Sequence, residues 1–468
     1  ETPDDFTIIM KFAHPYPLLG LQVIWRSFPM LPGHYLEQFH AEFTDEAELV
    51  KMAEAEGMVT WADVYNNRRQ ENLNHEVPRL DTWVPTNEAG AEIHIMVRNP
   101  YWWGVDPEGN QLPYIDSITH RLFEALDVFN MWIMGGEIDF QSRHVDSANY
   151  TLFKENAEAG GYGLTKSIGA SHVAVMLNHT SKDPILRRFF QNRDVRFALN
   201  MAVNREEMNE LVFDGLLTPK QYSPLMASDL AYPDQAFANL EYDPDQANAL
   251  LDAAGYADRD ADGFRIDPET GETVSFEMEG LEPAGSMYED AMIMVADYWS
   301  RVGVKAVYKY VERSLYEEHQ QANDMHVGTW SADRADFPLI DPGIFLGTNT
   351  QRPWACAWGK WRNDPTDPNA EEPPEGHFIT KMWDIWDQCS IEADYETRRR
   401  LFWDILDIWK EEIPMPTFLG EWPSFVIQKN TLRNYVEGYM NSWLSHGKSF
   451  LNSSTLFWED PENHTYEL

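Results

Sequence analysis

Bases are scarce in this sequence. Lys and Arg number 36 against 77 Asp and Glu, a formal net charge of −41. A nucleic-acid binder needs the opposite sign, and anionic lipid repels such a surface. The excess reads first as a solvated acidic shell that favours solubility, and second as adaptation to high salt, where screening tolerates dense like charge. Long apolar runs are missing too: none reaches the ~18 residues that span a bilayer. Cysteine is nearly absent. Cys356 and Cys389 are enough for one disulfide or for two separate buried thiols, and too few for a four-cysteine zinc site. The Walker loop, the GxGxxG turn and the GxSxG elbow are all lacking. His34, Glu37 and His40 do not make an HExxH motif, because histidines six apart fall on different helix faces. Acids are plentiful, but no glycosidase pair stands out among them.

What is present is ample core and aromatic material. Hydrophobic residues make up 43% of 468, with 18 Trp. That length predicts more than one lobe. Phe6–Phe12 reads as a strand broken by Pro15 and Pro17. A helix is expected from about Thr44 to Glu56, stopping at Gly57, and a strand at Ile93–Val97. The middle alternates helix and strand. Asp194 is the expected cap of a helix with Val195, Leu199, Ala202 and Val203 on its apolar face. Asp243-Pro244 opens another that stops at Gly255. A helix from Met287 to Val302, ended by Gly303, precedes a strand at Val304–Val311. Ser314 and Glu317 have capping-box spacing. Residues 364–376 form an acidic, Pro-rich loop. Tyr395–Glu412 is helical, with Leu401, Phe402, Ile405, Leu406 and Trp409 on its apolar side. No fixed-period repeat suggests a solenoid. The class is α/β or α+β with mixed sheets.

One spacing suggests a metal. Asp258, Asp260 and Asp262, then Gly263 and Glu269, follow the calcium-loop pattern D-x-D-x-D-G-x5-E. Arg265 stands in the slot that is usually aliphatic, Pro268 follows, and no helix pair flanks the loop. An ordinary acidic turn is therefore the preferred reading, and calcium the lesser one. No other cofactor is expected.

The stretch Asn192-Arg193-Asp194-Val195-Arg196-Phe197-Ala198-Leu199 through Arg205 resembles the "DVRxALxxAxxR" signature of the dipeptide/oligopeptide-binding family, the extracytoplasmic receptors of ABC importers. Arg98-Asn99-Pro100-Tyr101-Trp102, Gly136-Glu137-Ile138-Asp139, the helix from Ala247 to Tyr256 and Trp330-Ser331-Ala332-Asp333 resemble further landmarks, in the family's order. The resemblance implies an α/β (mixed α+β), bilobed periplasmic-binding-protein-like fold with mixed sheets and a hinged cleft. The expected lobes are 1–188 (part of the first), 189–416 (C-terminal) and 417–468 (return to the first). Family members carry another lobe ahead of the 6–12 strand. The sequence lacks it and is expected to be truncated, cleaved or partly represented. Longer stretches at Asn66–Trp83 and Arg352–Phe378 resemble the longer members, some of which bind oligosaccharides.

The implied function is capture of a peptide or oligosaccharide and delivery to a membrane permease. The implied protein is monomeric, sits in the periplasm or outside the cell, is in some cases membrane-anchored, and carries out no covalent chemistry. A secreted glycan hydrolase, and a chaperone or signalling receptor on the same scaffold, are the alternatives. By position in the family motif, Asp333 is expected to pair with a ligand's α-ammonium, with Trp330 and Ser331 lining the same pocket. Trp354, Trp358 and Trp361 cluster beside a polar loop, and Trp422 lies on the expected cleft strand. Flat rings there suit sugar faces or peptide side chains, although core packing is the better account of most of the 18.

Overall fold

The computed structural model describes all residues except 5, 22–30, 72, 73, 89, 439, 442, 443, 445–451 and 465–468. They pack into two compact units. One is formed by Arg26–Ser167, Ser424–Tyr439 and Gly447–Leu468, the other by Glu1–Trp25, Ile168–Pro423 and Met440–His446.

In the unit that begins at Arg26, a short helical turn at Gly33–Phe39 leads to helices α1 (Glu46–Ala55) and α2 (Trp61–Arg68). Asp45 caps α1 by accepting from the Ala47 amide, and Gly57 leaves it at φ +69°, as the sequence predicts. A capping box between Thr60 and Asp63 starts α2. Strands β1 (Trp83–Pro85), β2 (Ile93–Arg98) and β3 (Ser117–Arg121) form an antiparallel sheet. Beyond β2, the buried Asn99 side chain donates to the Asp81 carbonyl at 2.9 Å and accepts from the Tyr101 amide at 3.0 Å. The landmark asparagine is thus a loop pin. Helices α3 (Leu126–Met134) and α4 (Tyr150–Gly160) pack Phe129, Ile133 and Phe153 inward. Strand β4 (Phe140–Gln141) pairs with Ile427 and Gln428.

The chain changes unit inside the long strand β5 (Tyr162–Ala174), at 167/168, and again inside Thr417–Lys429, at 423/424. Residues Glu1–Trp25 are grouped with the larger unit. Strands carry no break in composition at these points, so nothing in the sequence marks them.

The larger unit is built on a mixed sheet of β6 (Met176–Leu177), β8 (Ser275–Gly280), β9 (Lys305–Tyr310) and β10 (Val327–Thr329), in the order β6-β10-β8-β9. Here β10 is antiparallel to β6 and parallel to β8, and β8 is parallel to β9. Strand β7 (Thr218–Pro219) pairs with Leu419 and Gly420 of β11 (Thr417–Lys429). Helices α5 (Pro184–Gln191), α6 (Arg193–Met201), α7 (Arg205–Phe213), α8 (Pro244–Ala253) and α9 (Met287–Arg301) enclose one core with the sheet, through Phe189, Phe190, Val195, Leu199, Met278, Val295 and Trp299. Helix α10 (Arg313–Ala322) precedes β10. Helices α11 (Cys356–Asn363), α12 (Phe378–Ile391) and α13 (Tyr395–Glu412) enclose a second core around Phe345, Trp354, Trp358, Phe402, Leu406 and Trp409.

Most expected elements are present, with three local corrections. Phe6–Phe12 is not a strand. Among the described residues it pairs only with those just before it, through the isolated Asp4–Thr7 bridge and two Glu1–Ile9 backbone bonds of 2.8 Å, and Phe6 is 98% exposed. A strand pattern without a neighbouring strand has no ladder. Asn192, not Asp194, caps α6, accepting from the Asp194 and Val195 amides. Glu312, not Ser314, caps α10. Cys356 and Cys389 are free and buried, each donating its thiol to a backbone carbonyl, of Gln320 and Arg398 respectively. Burial pushes the thiols up to about 11 and about 12. A thiol reagent at pH 8 is therefore expected to titrate neither in the folded protein and both after unfolding.

Candidate functional site

The chain leaves β10 at Trp330, and the next residues are held from several sides. Ala332 and His172 of β5 exchange backbone hydrogen bonds of 2.8 and 3.0 Å. The His172 ring is fully buried, with Nδ1 3.0 Å from the Ala170 carbonyl and 3.2 Å from that of Ala332. Tyr222 donates its hydroxyl to the Asp333 carbonyl at 2.8 Å. Beside His172, buried Lys220 donates to Glu421 at 3.1 Å, and Glu421 also accepts from the Met226 amide at 2.8 Å. Glu421 has a left-handed backbone, φ +57°. Strain of this kind persists only where the surroundings impose it.

Burial, helped by the nearby Lys220 charge, lowers the His172 pKa to about 3. Above about pH 6.5 the ring is neutral in both the folded and unfolded states. Below that, only the unfolded chain takes up the proton, so stability falls as pH falls until about 3, by about 1.4 kcal/mol per pH unit. His172→Gln is expected to flatten the stability profile between pH 6 and 4 by about that slope, measured by urea unfolding.

The side chains of Trp330–Asp333 meet two guanidiniums. Arg352, 3% exposed, donates to the Ser331 carbonyl at 2.7 and 3.2 Å and to Gln351 Oε1 at 3.1 Å, and lies over the Trp330 ring at 4.2 Å. Its Nη2 is 3.0 Å from Asp333 Oδ1. Arg334, at φ +69°, forms an ion pair with Asp341 and brings Nε to 3.7 Å from the same Asp333 oxygen. The Asp333 side chain is 18% exposed, while Oδ1 is buried and off the axis of any N–H. Tyr316 closes on Trp330 edge-on at 5.8 Å.

The other expected tryptophans are placed differently. Trp354 and Trp358 are fully buried core residues. Trp354 donates Nε1 to the Ile344 carbonyl at 2.8 Å, and Trp358 packs on His377 at 4.5 Å. Neither has a face for a solute. Their spacing puts both on the inward side of the turn into α11, which sequence distance to a polar loop does not reveal. Trp361 is half-buried and stacks on Trp383 at 6.2 Å. Trp422 is half-buried on β11, edge-on to Phe213 at 4.9 Å and parallel to Tyr288 at 6.4 Å.

The calcium-loop acids do not converge. Asp260 accepts from the Asp262 and Phe264 amides at 3.0 and 2.9 Å and from the Thr273 hydroxyl at 2.6 Å. The Thr273 hydroxyl leads in holding its carboxyl below the usual range. Glu269 turns to Arg188 at 3.2 Å. Arg265, in the slot that is usually aliphatic, is buried and paired with Asp252 at 2.6 Å. Among the described residues no three His, Cys, Asp or Glu are placed to hold a metal ion. The loop is a turn built on Asp260, and these residues do not fit calcium.

Reasoning from sequence misses Arg334, Gln351 and Arg352, as well as His172, Tyr222 and Lys220, and offers Asp341 only as an acid near Asp333 that could be confused with it. The usable signal was the scarcity of bases: in so acidic a chain, an arginine that leads into apolar residues, as at Arg352-Pro353-Trp354, is there to be paired.

The mixed α/β fold in two units, with several sheets, is the fold of the periplasmic binding proteins. Residues 1–341 match the family model of the bacterial extracellular solute-binding proteins, family 5, middle region. The chain belongs to that family. It is similar to an oligopeptide-binding protein OppA of known structure, with 32% identity, a TM-score of 0.69, and coverage of 96% of this chain and 73% of that one. The stachyose-bound MelB of Agrobacterium fabrum C58 shares the fold at 17% identity, with a TM-score of 0.71 over 96% of this chain and 65% of its own. The periplasmic alpha-galactoside-binding protein of Rhizobium meliloti is 25% identical over 271 residues, 56% of this chain. The chain spans well under two thirds of that curated relative, 37% of its length. No helix among the described residues is long and apolar enough to cross a membrane.

Proposed function

We propose that the chain is the solute-holding part of a receptor that captures a peptide or oligosaccharide and passes it to an ABC permease. It acts outside the cytoplasmic membrane, as a monomer held near that membrane, and changes no covalent bond in its solute. The observation that carries this reading is the family match over 1–341, which takes in the Trp330–Asp333 motif. Relatives named for peptides and for alpha-galactosides support the two solute classes. The pinning of residues 330–333 by His172, Tyr222 and Arg352 gives the motif the preorganisation that binding rewards. A melting-shift screen with separate pools of short peptides and neutral oligosaccharides tests the reading. One pool is expected to raise the melting temperature, since a ligand at a hundredfold excess over Kd stabilises by about 2.7 kcal/mol. A flat response to both pools would contradict it.

A further inference from the structure

The charges around Asp333 cancel within the protein. Two carboxylates, Asp333 and Asp341, face two guanidiniums, Arg334 and Arg352. Arg352 cannot swing aside cheaply, because it is buried, bonded to the Ser331 carbonyl and Gln351, and laid against Trp330. Arg334 is fixed by Asp341 and by its own left-handed backbone. One of the two Asp333 carboxylate oxygens, Oδ1, is turned inward onto both guanidiniums and has no accessible surface.

An incoming ammonium would therefore be a third positive charge beside a balanced set of four. It gains full attraction to Asp333 only by displacing a guanidinium, which leaves that charge buried and unpaired. A carboxylate meets the converse obstacle, since both guanidiniums are already neutralised. An uncharged group meets neither. It needs only hydrogen bonds, and the exposed remainder of the Asp333, Arg334 and Asp341 side chains, each 15–18% exposed, presents acceptors and donors side by side. A hydroxyl matches both kinds. Of the two solute classes, every unmodified peptide carries an α-ammonium, and a neutral oligosaccharide carries only hydroxyls and ethers.

Resting on the reading of the chain as a solute receptor, we propose that the Asp333–Arg334–Asp341–Arg352 network selects an uncharged, hydroxyl-bearing saccharide, and that Arg352 is the residue that closes this place to a free α-ammonium.

Calorimetric titration with stachyose, maltotetraose and cellotetraose, against tri-alanine and N-acetyl-tri-alanine, tests this. At least one saccharide is expected to bind, with affinity constant within twofold between 0.05 and 1 M NaCl, because no net charge is bound. Neither peptide is expected to bind at tenfold higher concentration. Arg352→Gln, which leaves Asp333 short of a partner, is expected to bind tri-alanine at least tenfold more tightly than the parent does, with salt weakening that binding and acetylation abolishing it. The wild-type comparison of free and acetylated peptide needs no variant, so a misfolded Arg352→Gln does not rescue the idea. Tight tri-alanine binding by the unaltered chain, lost on acetylation or in Asp333→Asn, overturns the inference and leaves the receptor reading standing. Binding of neither class overturns both.

Discussion

Gly169→Ala is expected to cost about 3 kcal/mol of stability or more. Strand β5 passes its neighbour β11 so closely here that a methyl group on residue 169 would sit 1.6 Å from the Trp422 carbonyl oxygen and 2.7 Å from its carbon. Both are backbone atoms, so no rotamer change relieves the overlap, and the strands must part or shift. The position is also central. Ile168 and Gly169 pair with Met440 and Asn441, and at Gly420, one residue from Glu421, a Cβ would sit 2.4 Å from the His172 ring. The damage would propagate to the Ala332–His172 bonds that hold the candidate site. Urea unfolding of Gly169→Ala should show a much lower midpoint with the slope unchanged. Gly163→Ala, on the same strand with its nearest neighbours at 3.8 Å, should change stability by less than about 1 kcal/mol. Equal effects of the two would mean that the close strand contact is not real.

Arg196→Met is expected to cost about 3–5 kcal/mol. The guanidinium is 1% exposed, donates to the carbonyls of Phe190, Gln191 and Glu412, and pairs with the Glu412 carboxylate at 2.9 Å. Burial brings its pKa down to about 10, against the pull of Glu412. The charge is therefore expensive to hold, yet removing it strands three carbonyls and a carboxylate. Arg196→Lys keeps the charge and loses the fork, and should fall between the parent and the methionine variant. This arginine is the third residue of the landmark Asp194-Val195-Arg196. In this chain the motif locks α6 to the end of α13. Arg205, closing the same motif, ties Asn200 to the Thr417 carbonyl in like manner.

The helices were legible because each needs only local information. Tyr395–Glu412 has an Asp394 cap that accepts from the Thr397 amide and an apolar face at Phe402, Ile405, Leu406 and Trp409. Asp243-Pro244 reads equally directly. Caps were misplaced by two residues where several cap-forming side chains stand together, as at Asn192-Arg193-Asp194 and Glu312-Arg313-Ser314. Which of them caps depends on where the chain enters the helix. The strand at Phe6–Phe12 failed because a strand is a pairing, and pairing partners are not local.

The site was legible only in its motif. Trp330 through Asp333 could be found by position, but what surrounds Asp333 could not. Arg352 reaches it across a loop and lies over the Trp330 ring. His172 comes from another strand altogether. Trp354 and Trp330 are the same residue type, and only packing distinguishes a core ring from one at a site. The calcium spacing was misleading for a similar reason: Asp260 spends its oxygens on its own turn, and Glu269 spends its charge on Arg188.

The central claim is that this chain binds a solute and returns it unchanged. The most direct measurement is equilibrium dialysis of the protein against a mixture of neutral oligosaccharides and short peptides, followed by mass spectrometry of what the protein retains and of what remains in solution. One class is expected to be retained at stoichiometry no greater than one per chain, at its original mass, with no new species in solution after prolonged incubation. Retention of nothing, or the appearance of shortened oligosaccharides or peptides that depends on the protein, would contradict the claim.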